Sequence, residues 1–591
     1  MRVGVDTGGT FTDVVADDGR IVKVLSTPSD PGAAVRSGLA AIISDRPELL
    51  AHGTTVATNA LLEGKGAPVA LVTTAGLRDV IEIGRQDRPS LYDSTVVRPD
   101  PLVPRAWRLE VDGRLAADGS ELEPVGDLPD IPREVEAVAV CLLHADLASG
   151  HEQQVAEALR AKGHDVSCSS EVSPEMREYE RTLTTVVNAA LRPRCRRYLQ
   201  GLSGLADEVL VMTSAGGLLP VDAAADLPAA LLLSGPAGGV RAAAAVAVAN
   251  DVPDVITFDM GGTSTDVCLV LGGAPIPAGQ RAVGGYSVRF PALDIHTIGA
   301  GGGSIASLDV GGALVVGPRS AGAEPGPACY GRDGIEPTVT DADLVAGRLP
   351  SGATFGGLRL DRIAAEQALG RAGVTADGVL AVVDAAMERA LRQVSVERGV
   401  DPRRLALVAF GGAGPLHACA LADALQMPTV IVPDRAGVLS AVGLLTSPRQ
   451  RDLVRTWPWP RDHAGVGDAL RRLARAAADL VGDGSETSTA VDCRYAGQSH
   501  ELTVPTPADF HEAHRLRNGF ARPDEPVEVI ALRASAARAA PINVTDLPAV
   551  ERRGGVGPLA LAEADCSIWI PAGWRAEPGA VGALVLRRER P

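Results

Sequence analysis

The stretch Val3-Gly4-Val5-Asp6-Thr7-Gly8-Gly9-Thr10-Phe11-Thr12-Asp13-Val14-Val15 returns as Ile256-Thr257-Phe258-Asp259-Met260-Gly261-Gly262-Thr263-Ser264-Thr265-Asp266-Val267-Cys268. Each copy reads apolar run, Asp, any residue, Gly-Gly-Thr, any residue, Thr-Asp, apolar run. The offset is 259 − 6 = 253 residues. A pattern repeated at this distance predicts two similar lobes, each opening its sheet with the same strand–turn–strand. It also predicts one ligand held between the two turns.

The chemistry of a single copy narrows that ligand. Val3 to Val5 and Val14 to Ala16 are short apolar runs suited to buried strands. Gly8-Gly9 between them allows a tight turn whose backbone N–H groups can converge on an anion, because no Cβ blocks the approach. Thr10 and Thr12 add hydroxyls, and Gly261, Gly262, Thr263 and Thr265 repeat the arrangement. Asp6, at the end of its strand, faces the same point, as does Asp259; Asp13 and Asp266 lie just beyond. Carboxylates beside a phosphate chain repel it unless a cation intervenes, so Asp6 and Asp259 point to Mg²⁺ held through water. The competing reading is two ordinary hairpins with glycine-rich turns, and it weakens because both copies match in register.

At 591 residues the chain is too long for one core, and two to four domains are expected. A net charge of −17 argues against a nucleic-acid or anionic-membrane surface. The eight cysteines contain no Cys-x-x-Cys pair, so neither a zinc ribbon nor a redox motif is indicated. The chain begins directly in a strand without a signal peptide, and the expected compartment is the reducing cytoplasm. The longest uncharged stretch, 405–422, is broken by Gly-Gly, Gly-Pro and His417 and reads as strand, turn and helix start rather than a membrane span. No Gly-x-x-x-x-Gly-Lys-Ser/Thr occurs, which excludes a P-loop. The glycines at 299–303 lack the spacing and context of a dinucleotide fingerprint.

The expected class is α/β: two lobes with the ligand cleft between them, plus a small C-terminal domain. The segmentation expected is 1–190 for the first lobe, 191–485 for the second and 486–591 for the tail. Strands are predicted at 3–5, 12–16, 69–73 and 407–410, and helices at 31–44, 150–162, 175–199 and 376–399. The third of these helices is expected to break near Pro193. Residues 100–130, rich in Pro and Gly, read as irregular or short-stranded.

The paired turns resemble the phosphate loops of the actin, hexokinase and Hsp70 ATPase superfamily. Further stretches resemble the hydantoinase A and 5-oxoprolinase family, related to acetone carboxylase subunits. They include His52-Gly53-Thr54-Thr55-Val56-Ala57-Thr58-Asn59-Ala60, Arg177-Glu178-Tyr179-Glu180-Arg181-Thr182 and Ser234-Gly235-Pro236-Ala237-Gly238-Gly239. Others are Gly299-Ala300-Gly301-Gly302-Gly303-Ser304 and Phe410-Gly411-Gly412-Ala413-Gly414-Pro415-Leu416-His417. The resemblance implies ATP and Mg²⁺ as cofactors and a hydantoinase B-like subunit as partner. It implies a small cyclic amide or imide as substrate, opened after phosphorylation of its carbonyl. Nucleotide contacts are then expected from Thr7, Gly8, Gly9, Thr10, Thr12 and Asp13 in the first turn. The second turn would contribute Gly261, Gly262, Thr263, Thr265 and Asp266. Gly301 and Gly302 would add to these, with Gly411, Gly412, Ala413 and Gly414 as an adenosine loop. Two alternatives stay open: the ATP-hydrolysing subunit of an acetone-type carboxylase, and a non-enzymatic ATP-driven switch. Two departures from the family leave the substrate open: Ser214-Ala215-Gly216-Gly217, where relatives often carry Ser-Asn-Gly-Gly, and a shortened tail.

Outside the turns, Asp294 and His296 are two apart and could share a metal ion from one face of a strand. His52, in a threonine-rich segment, is a candidate acid or base. Its alternative is a histidine that bonds neighbouring groups.

Overall fold

The computed structural model describes residues 1–591 except 10, 28–29, 89, 351–353, 356–357 and 590–591. Two large sheets organise the chain. The first runs Ile21–Leu25, Phe11–Ala16, Arg2–Thr7, Leu49–Thr54, Glu208–Met212, Leu218–Pro220, Arg449–Thr456, Val527–Arg538, Glu486–Tyr495, Leu502–Val504. The second begins Ala274–Pro275, Thr265–Leu271, Val255–Met260, Ala406–Phe410, Thr429–Val432 and continues through Leu584–Arg588, Trp574–Pro578 and Gly555–Val556. Both start with the same unit: a strand, its antiparallel hairpin mate and that mate's neighbour on one side, with two parallel strands on the other. The duplicated sequence is therefore a duplicated half-sheet. A separate four-stranded parallel sheet joins Val69–Thr74 to Ala137–Cys141, Asp165–Cys168 and Arg108–Val111.

The near-continuous apolar strands follow from burial on both faces. Val255, Ile256, Phe258, Leu407, Val408 and Ile431 lie in one core with residues of the helices Gly235–Ala249 and Ala376–Val394. The N-terminal half-sheet buries Val3, Val5 and Val14 in a core shared with Leu39, Val187 and Leu191.

Helices Gly235–Ala249 and Leu439–Thr446 cross between the sheets with their backbones touching. A Cβ on Gly443 would lie 1.8 Å from the carbonyl oxygen of Gly238, and one on Gly238 would lie 2.7 Å from that of Ser440. No side chain fits there, so this crossing fixes the distance between the sheets. It also delivers Gly235, Pro236 and Gly437 to Ser440 into the space between the two turns.

The chain returns to its first sheet late. Glu208–Met212, Leu218–Pro220, Arg449–Thr456 and the strands between 486 and 538 all lie in the first sheet, whereas Trp574–Pro578 and Leu584–Arg588 join the second. Sheet membership thus crosses both expected boundaries, at 191 and at 486. Nor does the helix at Pro193 break: Glu178–Gln200 runs through it. The proline removes only the one donor that the carbonyl of Ala189 would otherwise receive, and the helix continues past it. Among the described residues no helix is long and apolar enough to cross a membrane.

Candidate active site

The two turns are built alike. Gly8 N–H donates to the carbonyl of Phe11 at 3.0 Å, and Gly261 N–H to that of Ser264 at 3.0 Å. In the strand register Asp6 stands opposite Asp13, and Asp259 opposite Asp266. In each lobe the next parallel strand sets a glycine against the aspartate. A Cβ on Gly53 would lie 2.8 Å from Asp6 Oδ1, and one on Gly411, whose φ is +79°, would lie 2.4 Å from Asp259 Oδ1. Space beside each carboxylate is thus kept free by the absence of a side chain.

Asp6, Asp13, Asp259 and Asp266 all line one cavity of about 360 Å³, with Gly8, Gly9, Gly261, Gly262 and Thr263. Its far side is made by Gly411, Gly412 and Ala413, beside the N-terminal end of helix Gly414–Leu425. That end carries the helix's partial positive charge. Burial pushes Asp6 up to about 7, with Asp13 adding to the effect and Lys23 opposing it. Burial also raises Asp13. Asp259 is raised well above the carboxylate range, first by burial and then by Asp266, Asp6 and Asp13. Asp266 stands at about 6 through burial, with Thr297 as its hydrogen-bond donor opposing the rise. The field between the lobes is strongly negative.

Lys23 is the cation that sequence reasoning missed. It pairs with Asp13 at 2.7 Å and reaches the carbonyl of Gly437 across the cleft at 3.4 Å. The signal was available: Lys23 is one of only three lysines, and hairpin register sets it opposite Asp13. Tyr330 and Arg332, also unforeseen, line the same cavity.

The family profile described as Hydantoinase/oxoprolinase matches residues 181–452, and that of the Hydantoinase/oxoprolinase N-terminal region matches 2–163. The caprolactamase subunit alpha of Pseudomonas jessenii is 36% identical, over 97% of this chain and 97% of its own. The chain belongs to the hydantoinase/oxoprolinase family. The crystal structure of the ATP-dependent caprolactamase from Pseudomonas jessenii superposes with a TM-score of 0.85 at 31% identity, covering 100% of both chains. The 5-oxoprolinase 1 of Arabidopsis thaliana is 34% identical over 85% of this chain, and the match takes in 46% of that longer protein.

Several residues expected at the ligand in this family member instead support the turns. Thr12 is buried and meets Ser26 Oγ at 3.0 Å, and Ser26 in turn donates to the carbonyl of Gly8. Thr265 is equally buried and donates to the carbonyl of Ala300 at 2.6 Å. The amides of Gly302 and Gly303 bond the carbonyls of Gly261 and Gly262, and Gly301 N–H donates to Ser304 Oγ. Gly302 lines the cavity, while Gly301 buttresses from behind. Ala413 N–H donates to the carbonyl of Met260, tying the Gly411–Ala413 loop to the second turn, and Gly414 begins the helix beneath it. Thr7 is buried in an adjoining groove, its hydroxyl without a protein partner among the described residues. Thr10 lies outside the described residues.

Two expectations are corrected. Asp294 and His296 do not form a metal pair, because Arg398 and Arg281 both pair with Asp294 and their charges repel a cation. His52 does not reach the cleft. Its Nδ1 lies 3.1 Å from the carbonyl of Val5 and its Nε2 2.8 Å from Tyr198 Oη, and burial pushes its pKa down to about 4. It is a neutral imidazole joining the sheet to helix Glu178–Gln200. In helix Gly414–Leu425, behind the Gly411–Ala413 loop, burial opposes protonation of His417, but Asp343 and Asp384 hold it up at about 9.

Proposed function

We propose that the chain is an ATP-dependent hydrolase that opens a cyclic amide or imide, hydantoin- or 5-oxoproline-like, by phosphorylating its carbonyl oxygen. The observation that carries this reading is the pair of matched turns closing on one cavity, with the Gly411–Ala413 loop beside them. The names of its relatives, an ATP-dependent caprolactamase and a 5-oxoprolinase, support the reaction class.

A ring amide resists water because its C–N bond shares the nitrogen lone pair. When the carbonyl oxygen attacks the γ-phosphorus and ADP leaves, the carbon becomes an activated imidate. Water then adds at that carbon, the ring nitrogen takes up a proton and leaves as the C–N bond breaks, and a second water hydrolyses the resulting acyl phosphate to carboxylate and phosphate. The chain's part is placement and charge control. The amides of Gly9 and Gly262, beyond the turn bonds made by Gly8 and Gly261, face the phosphates, and the Gly411–Ala413 loop receives the base. Lys23 limits the repulsion from Asp13.

The donor set fits Mg²⁺: four aspartates against Lys23 and Arg332 leave a surplus of hard oxygen ligands, and burial raises the pKa values of Asp6 and Asp259. Asp6 and Asp259 would hold the ion through water. Once bound, it would neutralise the polyphosphate.

A second polypeptide completes the reaction on this reading, since the caprolactamase relative is itself a subunit alpha. A hydantoinase B-like chain could accept the activated intermediate away from bulk water. The test is ADP release by the purified chain, with and without its co-encoded neighbour. The panel comprises hydantoins, 5-oxoproline, lactams, and ketones with bicarbonate. Turnover on a cyclic amide supports the proposal. Turnover only on a ketone with bicarbonate replaces it with the carboxylase reading.

A further inference from the structure

Behind the cleft lies a cluster of four ionisable side chains that the chemistry above does not use. His417 and Asp343 are buried, and Asp384 and Arg348 are mostly so. His417 sits in helix Gly414–Leu425, four residues past Ala413 and so about one turn below the Gly411–Ala413 loop. Asp343 belongs to helix Val339–Val345, which Arg348 follows, and Asp384 to helix Ala376–Val394.

The imidazole is held from both sides. Its Nδ1 lies 2.6 Å from Asp384 Oδ1, and its Nε2 3.3 Å from Asp343 Oδ2. Two acceptors do not approach to 2.6 Å, so Nδ1 carries a proton. Arg348 Nη1 lies 3.4 Å from both Nδ1 and the carbonyl of Leu416; with the Nδ1 proton committed to Asp384, only the carbonyl can accept. Nε2 then decides the charge. Asp343 is 1% exposed, and neither of its carboxylate oxygens receives an aligned hydrogen bond among the described residues. Its cations are His417 and, at 3.8 Å, Arg348, which also lies 3.6 Å from Asp384. Two carboxylates and one guanidinium balance only when His417 is an imidazolium. A neutral ring would leave net negative charge in a buried place, which is costly. Burial alone favours the neutral ring, yet the two carboxylates hold its pKa up at about 9.

The cluster reaches the cleft through Gly302. Thr340, one turn before Asp343, donates both its N–H and its hydroxyl to the carbonyl of Gly302, each at 2.8 Å. A Cβ on Gly302 would lie 2.9 Å from Thr340 Oγ1 and 3.8 Å from Ala413 Cβ. Gly302, Thr340, Ala413 and Leu416 all line the cavity. Without the imidazolium, Asp343 gains a partner only if water enters between the helices Val339–Val345 and Gly414–Leu425, and parting them displaces this wall.

We propose that His417 is a positioning residue for the nucleotide: as a cation shared by Asp343 and Asp384, it pins the helix carrying the Gly411–Ala413 loop to the helix that braces Gly302. This rests on the ATP reading. The experiment titrates a non-hydrolysable ATP analogue with Mg²⁺ into the full chain and three variants, with melting temperatures taken alongside. His417→Gln keeps a hydrogen-bonding side chain but removes the charge, and should weaken the analogue by about tenfold or more. Asp343→Asn should weaken it by no more than about threefold, because the ring can then release its proton and the cluster stays balanced. The double variant, His417→Gln with Asp343→Asn, removes one charge of each sign and should return to within about threefold of the unaltered chain. A side chain that only fills space at 417 predicts the reverse, two substitutions losing more than one. Undiminished affinity in His417→Gln overturns the proposal, as does a double variant no tighter than His417→Gln. Where His417→Gln alone fails to fold, the double variant decides: folding with restored affinity supports the pin, and an unfolded or weakened protein overturns it. An unaltered chain without affinity for the analogue marks failure of the ATP reading itself, and the pin falls with it.

Discussion

The two turns share a sequence pattern and a hydrogen-bond skeleton, yet they differ in what surrounds their carboxylates. The first has a cation, Lys23, on Asp13. The second has the Thr297 hydroxyl on Asp266. Behind the first stand Thr12 and Ser26, single side chains. Behind the second stands the backbone of Gly301–Gly303, joined by Ala413 from the Gly411–Ala413 loop. Asp259 is raised well above the usual carboxylate value, first by burial, and receives repulsion from the aspartates of both turns. The first turn is tied to the segment at Gly437 by its lysine.

The largest effect should come from removing either aspartate. Asp6→Asn and Asp259→Asn are each expected to lower ATP turnover by about 10²–10³, the usual loss for one preorganised electrostatic contact. Steady-state ATPase with saturating substrate measures it, alongside circular dichroism to verify folding. If both variants stay near wild-type rate, the two turns do not hold the phosphates. If only one collapses, they are not equivalent.

The glycines facing those aspartates give the next contrast. Gly411→Ala should weaken a non-hydrolysable ATP analogue by about tenfold or more, because it adds both a clash with Asp259 and a disfavoured positive φ. Gly53→Ala meets Asp6 and Leu444 with ordinary φ, so its loss should be smaller. Titration calorimetry compares the two, and a reversed order would mean that the first turn, not the second, is the tighter.

Much of this was legible beforehand. The repeat located both aspartates and both glycine pairs, because a turn that must present bare amides leaves a local signature in Asp, Gly and Thr. The strands at 3–5, 12–16 and 407–410 followed from their apolar runs. What could not be read was long-range. Whether Thr12 points to a ligand or to Ser26, and whether Gly301 lends its amide outward or to Ser304, depends on how the turns pack against other segments. Asp294 and His296 had the right alternation for a shared ion, but the two arginines that forbid it come from 281 and 398. His52 looked reactive by composition and proved to be a buried link, since its strand is covered on both faces. The tail at 486–591 gave no sign that it would divide between the sheets, because strand pairing across hundreds of residues has no local code.

Lys23 offers a test of the difference in charge. Lys23→Met removes an influence that lowers both Asp6 and Asp13. The acid limb of the pH–ATPase profile should therefore move to higher pH, while the corresponding change at the second turn, Thr297→Val, should shift it less, since a hydroxyl opposes the rise in Asp266 more weakly than an ammonium would. An unmoved profile in Lys23→Met would show that Asp6 and Asp13 do not limit the rate.

The smallest effect concerns the chain without ligands. Asp6 at about 7 and Asp266 at about 6 both lie above their unfolded value of 3.8, so the folded chain holds protons that the unfolded chain has released. A carboxylate raised in this way contributes stability that is complete below the unfolded pKa and is lost as pH climbs through the folded one. The melting temperature of the ligand-free protein should thus fall between about pH 4 and pH 7 and level off above it. Adding Mg²⁺ with an ATP analogue supplies the missing counter-charge, favours the ionised carboxylates and should flatten that slope. Asp6→Asn should flatten it in part without any ligand, and Asp266→Asn by less, because its carboxylate is displaced by the smaller amount. Scanning calorimetry from about pH 4 to pH 8 on the three proteins decides it. A melting temperature that rises steadily across this window would mean that the cleft carboxylates are already compensated in the free protein, and the two turns would then need no ion between them.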